Sequence, residues 1–252
     1  MNQTEKAQHF DALHVAGNPL ILYNIWDSGG AKALTEAGAV AIATGSLSVA
    51  AAHGFSDGEH IPLEFVLQIV DRIAKTTDLP LTVDFEGGYA VNLDGLMENV
   101  LRVISAGAVG INFEDQVIGG DGLHTITDQI RRIRGIRQAS AEKEFPLFVN
   151  ARTDLFLQSE ASQHESFLGE ALERAAAYAE AGANGFFVPG LTRYDLIGEI
   201  CQASTLPVNV LMMGDMTSVE DIASVGISRA SFGSGPYLNT MAHLADSFLR
   251  LQ

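Results

Sequence analysis

The sequence has a single cysteine, Cys201, among its 252 residues. One cysteine excludes a disulfide within the chain and a cluster of thiolate metal ligands. Cys201 falls in a predicted helix over residues 194–203, without polar neighbours that would activate a thiol. We interpret it as a small buried apolar residue rather than a catalytic one.

Long apolar runs are also absent, since no stretch approaches the roughly 18 residues of a membrane-spanning helix. Residues 1–9 are polar and lack the apolar region of a secretory signal peptide. There is no proline- or serine-rich linker and no low-complexity segment. We therefore expect one cytoplasmic domain over residues 1–252.

Positive charge is scarce: 15 Lys and Arg stand against 31 Asp and Glu, a formal net charge of −16. Such an acidic chain is a poor partner for nucleic acid or an anionic membrane, and we expect neither. An anionic substrate would need a local positive centre, supplied by a metal ion, an arginine or backbone N–H groups.

A short phrase recurs along the chain, with Ala-Gly-Ala at its centre. It occupies residues 36–40, 105–109 and 180–184, and a weaker copy lies at 224–227. Each copy reads as the end of an amphipathic helix at a glycine, which accepts the left-handed conformation there, followed at once by a short apolar strand. The repeated unit is therefore β/α.

Eight such units predict a (β/α)8 TIM-type barrel of the α/β class. The predicted strands are 20–25, 40–44, 81–85, 110–113, 147–151, 185–188, 208–211 and 227–231. The predicted helices include 31–37, 63–76, 93–106, 127–140, 165–181, 194–203 and 237–249. A doubly wound open sheet is the alternative, but residues 23–30 carry only part of its glycine-rich loop.

Acidic residues follow two of the predicted strands. Asp84 and Glu86 end the third strand, and strand alternation predicts that both point to the barrel axis. Glu114 and Asp115 end the fourth, one facing inward and the other capping or pairing. Carboxylates that converge at one face of a barrel repel each other unless a cation lies between them, and a hard ion such as Mg²⁺ suits oxygen ligands.

Other polar residues at the strand ends complete a candidate site. Arg152 lies in an apolar strand and is suited to bind a substrate carboxylate with its planar fork, to pair with Glu114 or Asp154, or both. Asn209 is a polar residue within a strand and faces either the cavity or a buried backbone group. Residues 119–122 are glycine-rich and read as a lid, and His124 beyond them is a candidate acid–base group.

These strand ends resemble the motifs of the isocitrate lyase/phosphoenolpyruvate mutase superfamily, over nearly the whole chain. Residues 44–50 and 57–59 resemble its α-oxo-acid loop and the acid that trails it. Residues 84–89 resemble its Asp-x-Asp-x-Gly-Tyr metal motif. Residues 113–115 and 150–154 resemble its Leu/Phe-Glu-Asp and Ala-Arg-Thr-Asp motifs.

The resemblance implies a homo-oligomer, a tetramer built as a dimer of dimers, with the last helix swapped between subunits. It implies Mg²⁺, with Mn²⁺ as a possible replacement, on Asp84, Glu86 and Glu114, with Asp57 held to the ion through water. The substrate would be a small α-oxo or 2-hydroxy carboxylate whose C–C or P–C bond breaks through a pyruvate enolate. Substrate contacts would come from Gly45, Ser46, Leu47 and Arg152.

The sequence also departs from the family pattern. Glu86 stands where the metal motif usually has Asp, and the lid at residues 116–124 lacks the cysteine of the lyases' Lys-Lys-Cys-Gly-His loop. We therefore favour a Mg²⁺-dependent carbon–carbon lyase, such as a decarboxylase of oxaloacetate, or hydrolytic C–C cleavage. The alternatives are a phosphonopyruvate/phosphoenolpyruvate mutase or hydrolase, and a non-catalytic barrel that binds α-oxo acids.

Overall fold

A computed structural model describes all 252 residues and contains eight short parallel strands. The strands are β1 (Leu20–Leu22), β2 (Ile42–Ala43), β3 (Leu81–Asp84), β4 (Gly110–Glu114), β5 (Phe148–Arg152), β6 (Gly185–Phe187), β7 (Val208–Leu211) and β8 (Arg229–Ser231). Nearly every strand residue is buried, as expected for a parallel sheet covered on both faces.

Ten α-helices and one 3₁₀ helix (Ala161–Phe167) accompany the strands. The α-helices are α1 (Gln3–Ala12), α2 (Ser28–Glu36), α3 (Ser46–Ala52), α4 (Leu63–Ala74), α5 (Leu93–Ser105), α6 (Ile126–Glu142), α7 (Leu168–Ala181), α8 (Tyr194–Ala203), α9 (Val219–Ala223) and α10 (Gly235–Leu249). None is long and apolar enough to cross a membrane.

The strand order is β1-β8-β7-β6-β5-β4-β3-β2, and every pairing is parallel. The two end strands approach each other through a single bridge between Ile25 and Thr44. There the Ile25 N–H donates to the Ala43 carbonyl at 2.8 Å and the Gly45 N–H donates to the Ile25 carbonyl at 3.2 Å. The sheet is thus a nearly closed barrel, which confirms the predicted TIM-type fold and excludes the open doubly wound sheet.

The predicted strand boundaries are too long at the first two strands. β1 ends at Leu22, and the predicted strand 20–25 continues only as the isolated bridge at Ile25. β2 covers two residues of the predicted 40–44. Pairing stops early because Asn24 is turned to bind backbone groups of other strands, with its Nδ2 donating to the Thr44 carbonyl at 2.8 Å.

Two apolar clusters stabilise the barrel. The larger contains 46 buried residues and fills the layer between strands and helices. The smaller closes the end of the barrel where the strands begin, with Phe10 of α1 packed edge-on against Phe148 at the start of β5. Gly110 at the start of β4 makes room for this contact, because a Cβ there would lie 3.1 Å from the Phe10 ring.

Helix α10 is the exception to this packing, since Pro236 is its only buried residue. Its exposed apolar side chains are Leu238, Leu244, Phe248 and Leu249. An apolar groove of about 460 Å³ lies elsewhere on the surface, lined by Ile21, Tyr23 and Val40 with Leu13 and, from α2, Leu34. An amphipathic helix that buries so little within its own chain leaves its apolar face without a partner.

Candidate active site

The carboxyl ends of the strands surround a cavity of about 130 Å³. The predicted site residues that line it are Gly45, Ser46, Leu47, Asp57, Asp84 and Arg152. The barrel register explains the convergence, because Asp84 of β3 lies level with Asn112 of β4, and Glu114 of β4 lies level with Arg152 of β5. Carboxylates from successive strands therefore meet at one face.

Asp84 is held by the turn after β2. Its Oδ2 accepts from the Ser46 N–H at 3.1 Å and from the Ser46 hydroxyl at 2.9 Å. Its own N–H donates to the Thr44 hydroxyl at 3.0 Å. Gly45 precedes α3, and a Cβ there would lie 3.3 Å from the Gly233 carbonyl oxygen, so the glycine lets this turn pack against the turn after β8. Ser46 thus orients Asp84 as well as lining the cavity.

Glu86 is buried, but its position does not result from the strand alternation that the sequence analysis assumed for Asp84 and Glu86. β3 ends at Asp84, and Glu86 has a φ of 50°, so the chain has already turned out of the strand. Its carboxylate accepts from the Glu59 N–H at 2.8 Å and from the Tyr89 hydroxyl at 3.0 Å. Burial, with the charges of Asp57 and Asp84, raises the pKa of Glu86 to about 7.

Glu114 is buried and pairs with Arg152, whose Nη1 lies 2.9 Å from its Oε2. Burial raises the pKa of Glu114 well above its ordinary value, although the Arg152 guanidinium acts in the opposite direction. The same guanidinium binds Asp154 with two further nitrogens, at 2.5 and 2.9 Å. Both ion pairs predicted for Arg152 are therefore present together.

Asp115 is the acid of the Glu114–Asp115 pair that forms a buried ion pair rather than facing the site. It is fully buried and points away from the cavity toward α7. Its carboxylate accepts from Arg174 at 2.9 Å, from the Tyr178 hydroxyl at 2.8 Å and from the Asp154 N–H at 3.0 Å. Glu114 therefore lies on the side of Arg152, and Asp115 forms its ion pair behind the site. The sequence analysis expected this division, with one acid facing inward and the other capping or pairing.

Asp57 lies on the exposed loop after α3 and reaches the rim of the cavity. Partial burial of its carboxyl and the nearby charge of Asp84 raise its pKa.

Two other predicted site residues, His124 and Asn209, do not line this cavity. His124 lines an adjoining cavity with Glu59 and Arg132, because the lid folds back through a bridge between residues 116 and 123. Asn209 lies beneath the cavity.

The Gly87-Gly88 turn allows close packing. A Cβ on Gly88 would lie 2.3 Å from Leu96 Cδ1, and a Cβ on Gly87 would lie 2.8 Å from Ile118 of the lid. Gly88 also has a φ of 86°, which favours glycine. The predicted close approach at this turn is therefore to protein side chains.

A polar network below the cavity escaped the sequence analysis. Arg229 is fully buried, and its Nη2 donates to Asn112 Oδ1 at 3.1 Å while its Nε donates to the Ser231 hydroxyl at 3.1 Å. Ser231 in turn donates to Asn209 at 3.2 Å, and Asn112 lies 3.4 Å from Asp84 Oδ1. Alternation along β4 could have identified Asn112, since it lies two residues before Glu114.

The donor set suits a hard divalent cation held largely through water. No three His, Cys, Asp or Glu side chains lie close enough together to hold a metal ion directly. Yet burial raises the pKa of Asp57, Glu86 and Glu114, the nearby charge of Asp84 adds to each shift, and Arg152 is the only Lys or Arg that lines the cavity. Excess negative charge on oxygen ligands fits Mg²⁺ that keeps several of its waters.

The fold and this site define a class: a β/α-barrel protein with a carboxylate-rich cavity at the carboxyl ends of its strands. Comparison with known proteins gives the family. A family model for phosphoenolpyruvate phosphomutase matches residues 10–251. The chain therefore belongs to the isocitrate lyase/phosphoenolpyruvate mutase superfamily, whose members are enzymes.

Three similar proteins show the range of that superfamily. A Burkholderia cenocepacia J2315 structure, assigned as a phosphonomutase, is 42% identical, with a TM-score of 0.97 and 100% coverage of both chains. The 2-methylisocitrate lyase of Escherichia coli K12 is 30% identical over 233 residues, which cover 88% of this chain and 76% of the relative. A phosphonopyruvate hydrolase structure with oxalate and Mg²⁺ shares the fold at a TM-score of 0.86 and 21% identity, covering 98% and 86% of the two chains.

Proposed function

We propose that this protein is a Mg²⁺-dependent carbon–carbon lyase that cleaves a small 2-oxo or 2-hydroxy carboxylate through a pyruvate-type enolate. The observation that carries the proposal is that Asp84 and Arg152 line one cavity, with Glu114 paired to Arg152 and the turn at Ser46 bound to Asp84. Oxygen ligands, one guanidinium and a helix-starting turn are the groups that recognise a carboxylate next to a carbonyl.

Asp84, Glu86 and Glu114 would hold the ion largely through its waters, with Asp57 farther out in the same water shell. When bound, Mg²⁺ supplies a Lewis acid beside the substrate oxygen that becomes negative. Arg152 contributes a positive charge that persists at every physiological pH, and it binds and orients the substrate carboxylate. Glu114 and Asp154 fix the guanidinium in place, so little reorganisation is needed as charge develops.

The residues of the lid, 116–124, bear on which kind of C–C cleavage the site can support. Residues 116–124 contain no cysteine, and His124 faces the adjoining cavity. A reaction that requires a lid acid to protonate the leaving carbon, as in the cysteine-bearing lyases, is therefore poorly served. Cleavages in which the departing group needs no protonation by the lid, decarboxylation among them, fit this site better.

A phosphonate-processing mutase or hydrolase is the second candidate, and the match to the phosphoenolpyruvate phosphomutase family model favours it. A phosphonate dianion would need more positive charge than one arginine provides. A barrel that binds 2-oxo acids without turnover is the third, and the lid without a catalyst favours it.

The test is pyruvate release from a panel of 2-oxo and 2-hydroxy acids, with Mg²⁺ and with chelator, alongside Glu114→Gln. Metal-dependent release that oxalate blocks and Glu114→Gln abolishes is the expected result. Unchanged turnover in Glu114→Gln would refute the site. Turnover of phosphonopyruvate alone would support the second candidate, and Mg²⁺-dependent oxalate binding without any turnover would support the third.

A further inference from the structure

The cavity has two unlike sides. Strands β2 to β5 supply the polar side, with Ser46, Asp84 and Arg152. Strands β6 and β7 and the loop after β5 supply the facing side, with Phe187, Leu211, Pro189 and Leu157. Ser231 of β8, level with Leu211, adds a hydroxyl at the edge of this side. The barrel order places β6 and β7 across from β2 and β3, so the apolar side is opposite the acids.

No Lys or Arg lines the apolar side, and Arg229 of β8 lies buried beneath the cavity with its guanidinium donating to Asn112 and Ser231. Among the residues that join each strand to the next helix, the only Lys or Arg is Arg193. Arg193 is committed to surface ion pairs with Glu165, at 2.9 Å, and with Asp195. The loop after β7 carries instead Met212, Met213 and Met216.

Arg152 cannot serve two anionic groups. Its Nη1 binds Glu114, and its Nε and Nη2 bind Asp154. It can take part in binding the carboxylate next to the 2-oxo group. A second carboxylate or a phosphonate at the far end of the substrate would lie against Phe187 and Leu211 with no cation to pair with, and burying an unpaired charge is costly.

We infer that the substrate is a monocarboxylate: a 2-oxo acid whose chain beyond C3 is uncharged and apolar. This inference rests on the proposed function and narrows it to aldol-type cleavage. It excludes oxaloacetate and tricarboxylates as preferred substrates, and with them the decarboxylation that the lid alone would permit. Leu157, Phe187 and Leu211 bind the alkyl end, and each methylene they cover stabilises the complex.

With an uncharged end, the bond that breaks is C3–C4 of a 4-hydroxy-2-oxo acid. Its electron pair becomes the pyruvate enolate, the C4 hydroxyl gives its proton to water as C4 becomes an aldehyde carbonyl, and water returns one proton to C3 of the enolate, so that no lid acid is required. The products are pyruvate and an aldehyde. The atoms balance without an oxidant, a reductant or a second substrate.

Two matched pairs of acids test the inference. 2-Oxopentanoate and 2-oxoglutarate differ by a terminal methyl in place of a carboxylate, and their affinities with saturating Mg²⁺ are measured by calorimetry, with oxalate as reference. We expect 2-oxopentanoate to bind at least about tenfold more tightly. 4-Hydroxy-2-oxopentanoate should likewise release pyruvate with a kcat/KM at least about tenfold above that of 4-hydroxy-2-oxoglutarate.

The variant Leu157→Arg adds a cation to the apolar wall at a position that is 43% exposed and tolerates charge. It should shift the 2-oxopentanoate to 2-oxoglutarate preference about tenfold toward the dicarboxylate, because a guanidinium pairs with the second carboxylate. Leu157→Met keeps the wall apolar and should leave the preference unchanged.

The outcomes distinguish a failure of the monocarboxylate inference from a failure of the proposed function. If oxalate binds with Mg²⁺ but 2-oxoglutarate binds as well as or better than 2-oxopentanoate, the monocarboxylate inference is wrong and the proposed function stands. If oxalate itself does not bind, the proposed function fails and the inference falls with it. Preference for 2-oxopentanoate without pyruvate release from either hydroxy acid would overturn the retro-aldol step alone.

Discussion

Arg152 and Asp154, two residues apart on one strand end, form a two-pronged ion pair inside the candidate site. The Arg152 Nε lies 2.5 Å from Asp154 Oδ1, and its Nη2 lies 2.9 Å from Oδ2. This leaves Nη1 to bind Glu114 at 2.9 Å. The guanidinium is therefore held in one plane before any substrate arrives, which is the condition for electrostatic preorganisation.

The variant Asp154→Asn should lower Mg²⁺-dependent turnover by about 10²-fold, because a freed guanidinium no longer meets the substrate in one orientation. Arg193 and Asp195 provide a matched control, since they form the same two-residue pair on the surface, outside the cavity. Asp195→Asn should leave turnover unchanged. Equal losses in both variants, or none in Asp154→Asn, would show that the pair does not orient Arg152 for catalysis.

Behind the site, Arg174 should be required for folding rather than for chemistry. It neutralises Asp115, which is fully buried and accepts hydrogen bonds from Arg174 and Tyr178. Removing one partner of a buried ion pair leaves an uncompensated charge, so Arg174→Met should reduce the free energy of unfolding by about 3–5 kcal/mol in urea titrations.

Arg131 on α6 provides the comparison for that variant, because its ion pair with Asp128 is exposed. Exposed pairs contribute little to stability, so Arg131→Met should unfold at nearly the wild-type urea concentration. A loss in Arg174→Met no larger than in Arg131→Met would contradict the structural role given to Asp115.

Much of the fold could be predicted because four units end a helix at a glycine of positive φ (Gly38, Gly107, Gly182 and Gly226) and continue at once into an apolar strand. Helix α8 was predicted at its observed bounds of Tyr194 and Ala203. The short helix α3 escaped prediction because seven residues carry too little periodicity to separate a helix from a turn. Helix α1 escaped because its sequence is largely polar and buries only Ala7 and Phe10.

The site was predictable only where strand alternation held. Asp84, Glu114 and Arg152 lie on strands, and the Arg152 guanidinium lies 3.9 Å from Asp84 and 2.9 Å from Glu114. Glu86 lies past the end of β3 with a positive φ, and its hydrogen bond from the Glu59 N–H joins residues 27 apart in sequence. Such a contact depends on how a loop folds over the barrel, which local patterns do not encode.

His14 should make stability depend on pH. Its ring stacks on Phe148 with centroids 4.2 Å apart, and burial, together with the charge of Arg229, lowers its pKa to about 3. The folded protein therefore keeps His14 neutral, whereas the unfolded chain protonates it near pH 6.5. Because the unfolded state binds the extra proton, this contribution to stability is present above pH 6.5 and is lost as the pH falls toward 3.

Between pH 7 and pH 5 we expect His14 to account for a loss of about 2 kcal/mol in the free energy of unfolding, measured by urea titration at both values. His14→Phe keeps an aromatic ring on Phe148 and should remove that part of the pH dependence. His9→Phe changes an exposed histidine of α1, five residues before His14, and should keep the wild-type pH dependence. An undiminished pH dependence in His14→Phe would exclude this histidine as its source.

Helix α10 underlies the assembly we propose, a homotetramer built as a dimer of dimers that exchange this helix. α10 buries only Pro236 within its own chain and exposes Phe248 and Leu249 at 60% and 61%. Burying these side chains against a second copy would remove a large apolar patch from water, which stabilises association.

The variant Phe248→Glu should therefore shift the species seen by light scattering after size exclusion from about four chains to smaller ones, because a carboxylate cannot be buried unpaired in an apolar contact. His243→Glu introduces the same charge at a polar, exposed position of the same helix and should leave the mass unchanged. A wild-type protein that elutes as a monomer would rule out the exchange. A tetramer that survives Phe248→Glu would place the contact on a different face of the helix.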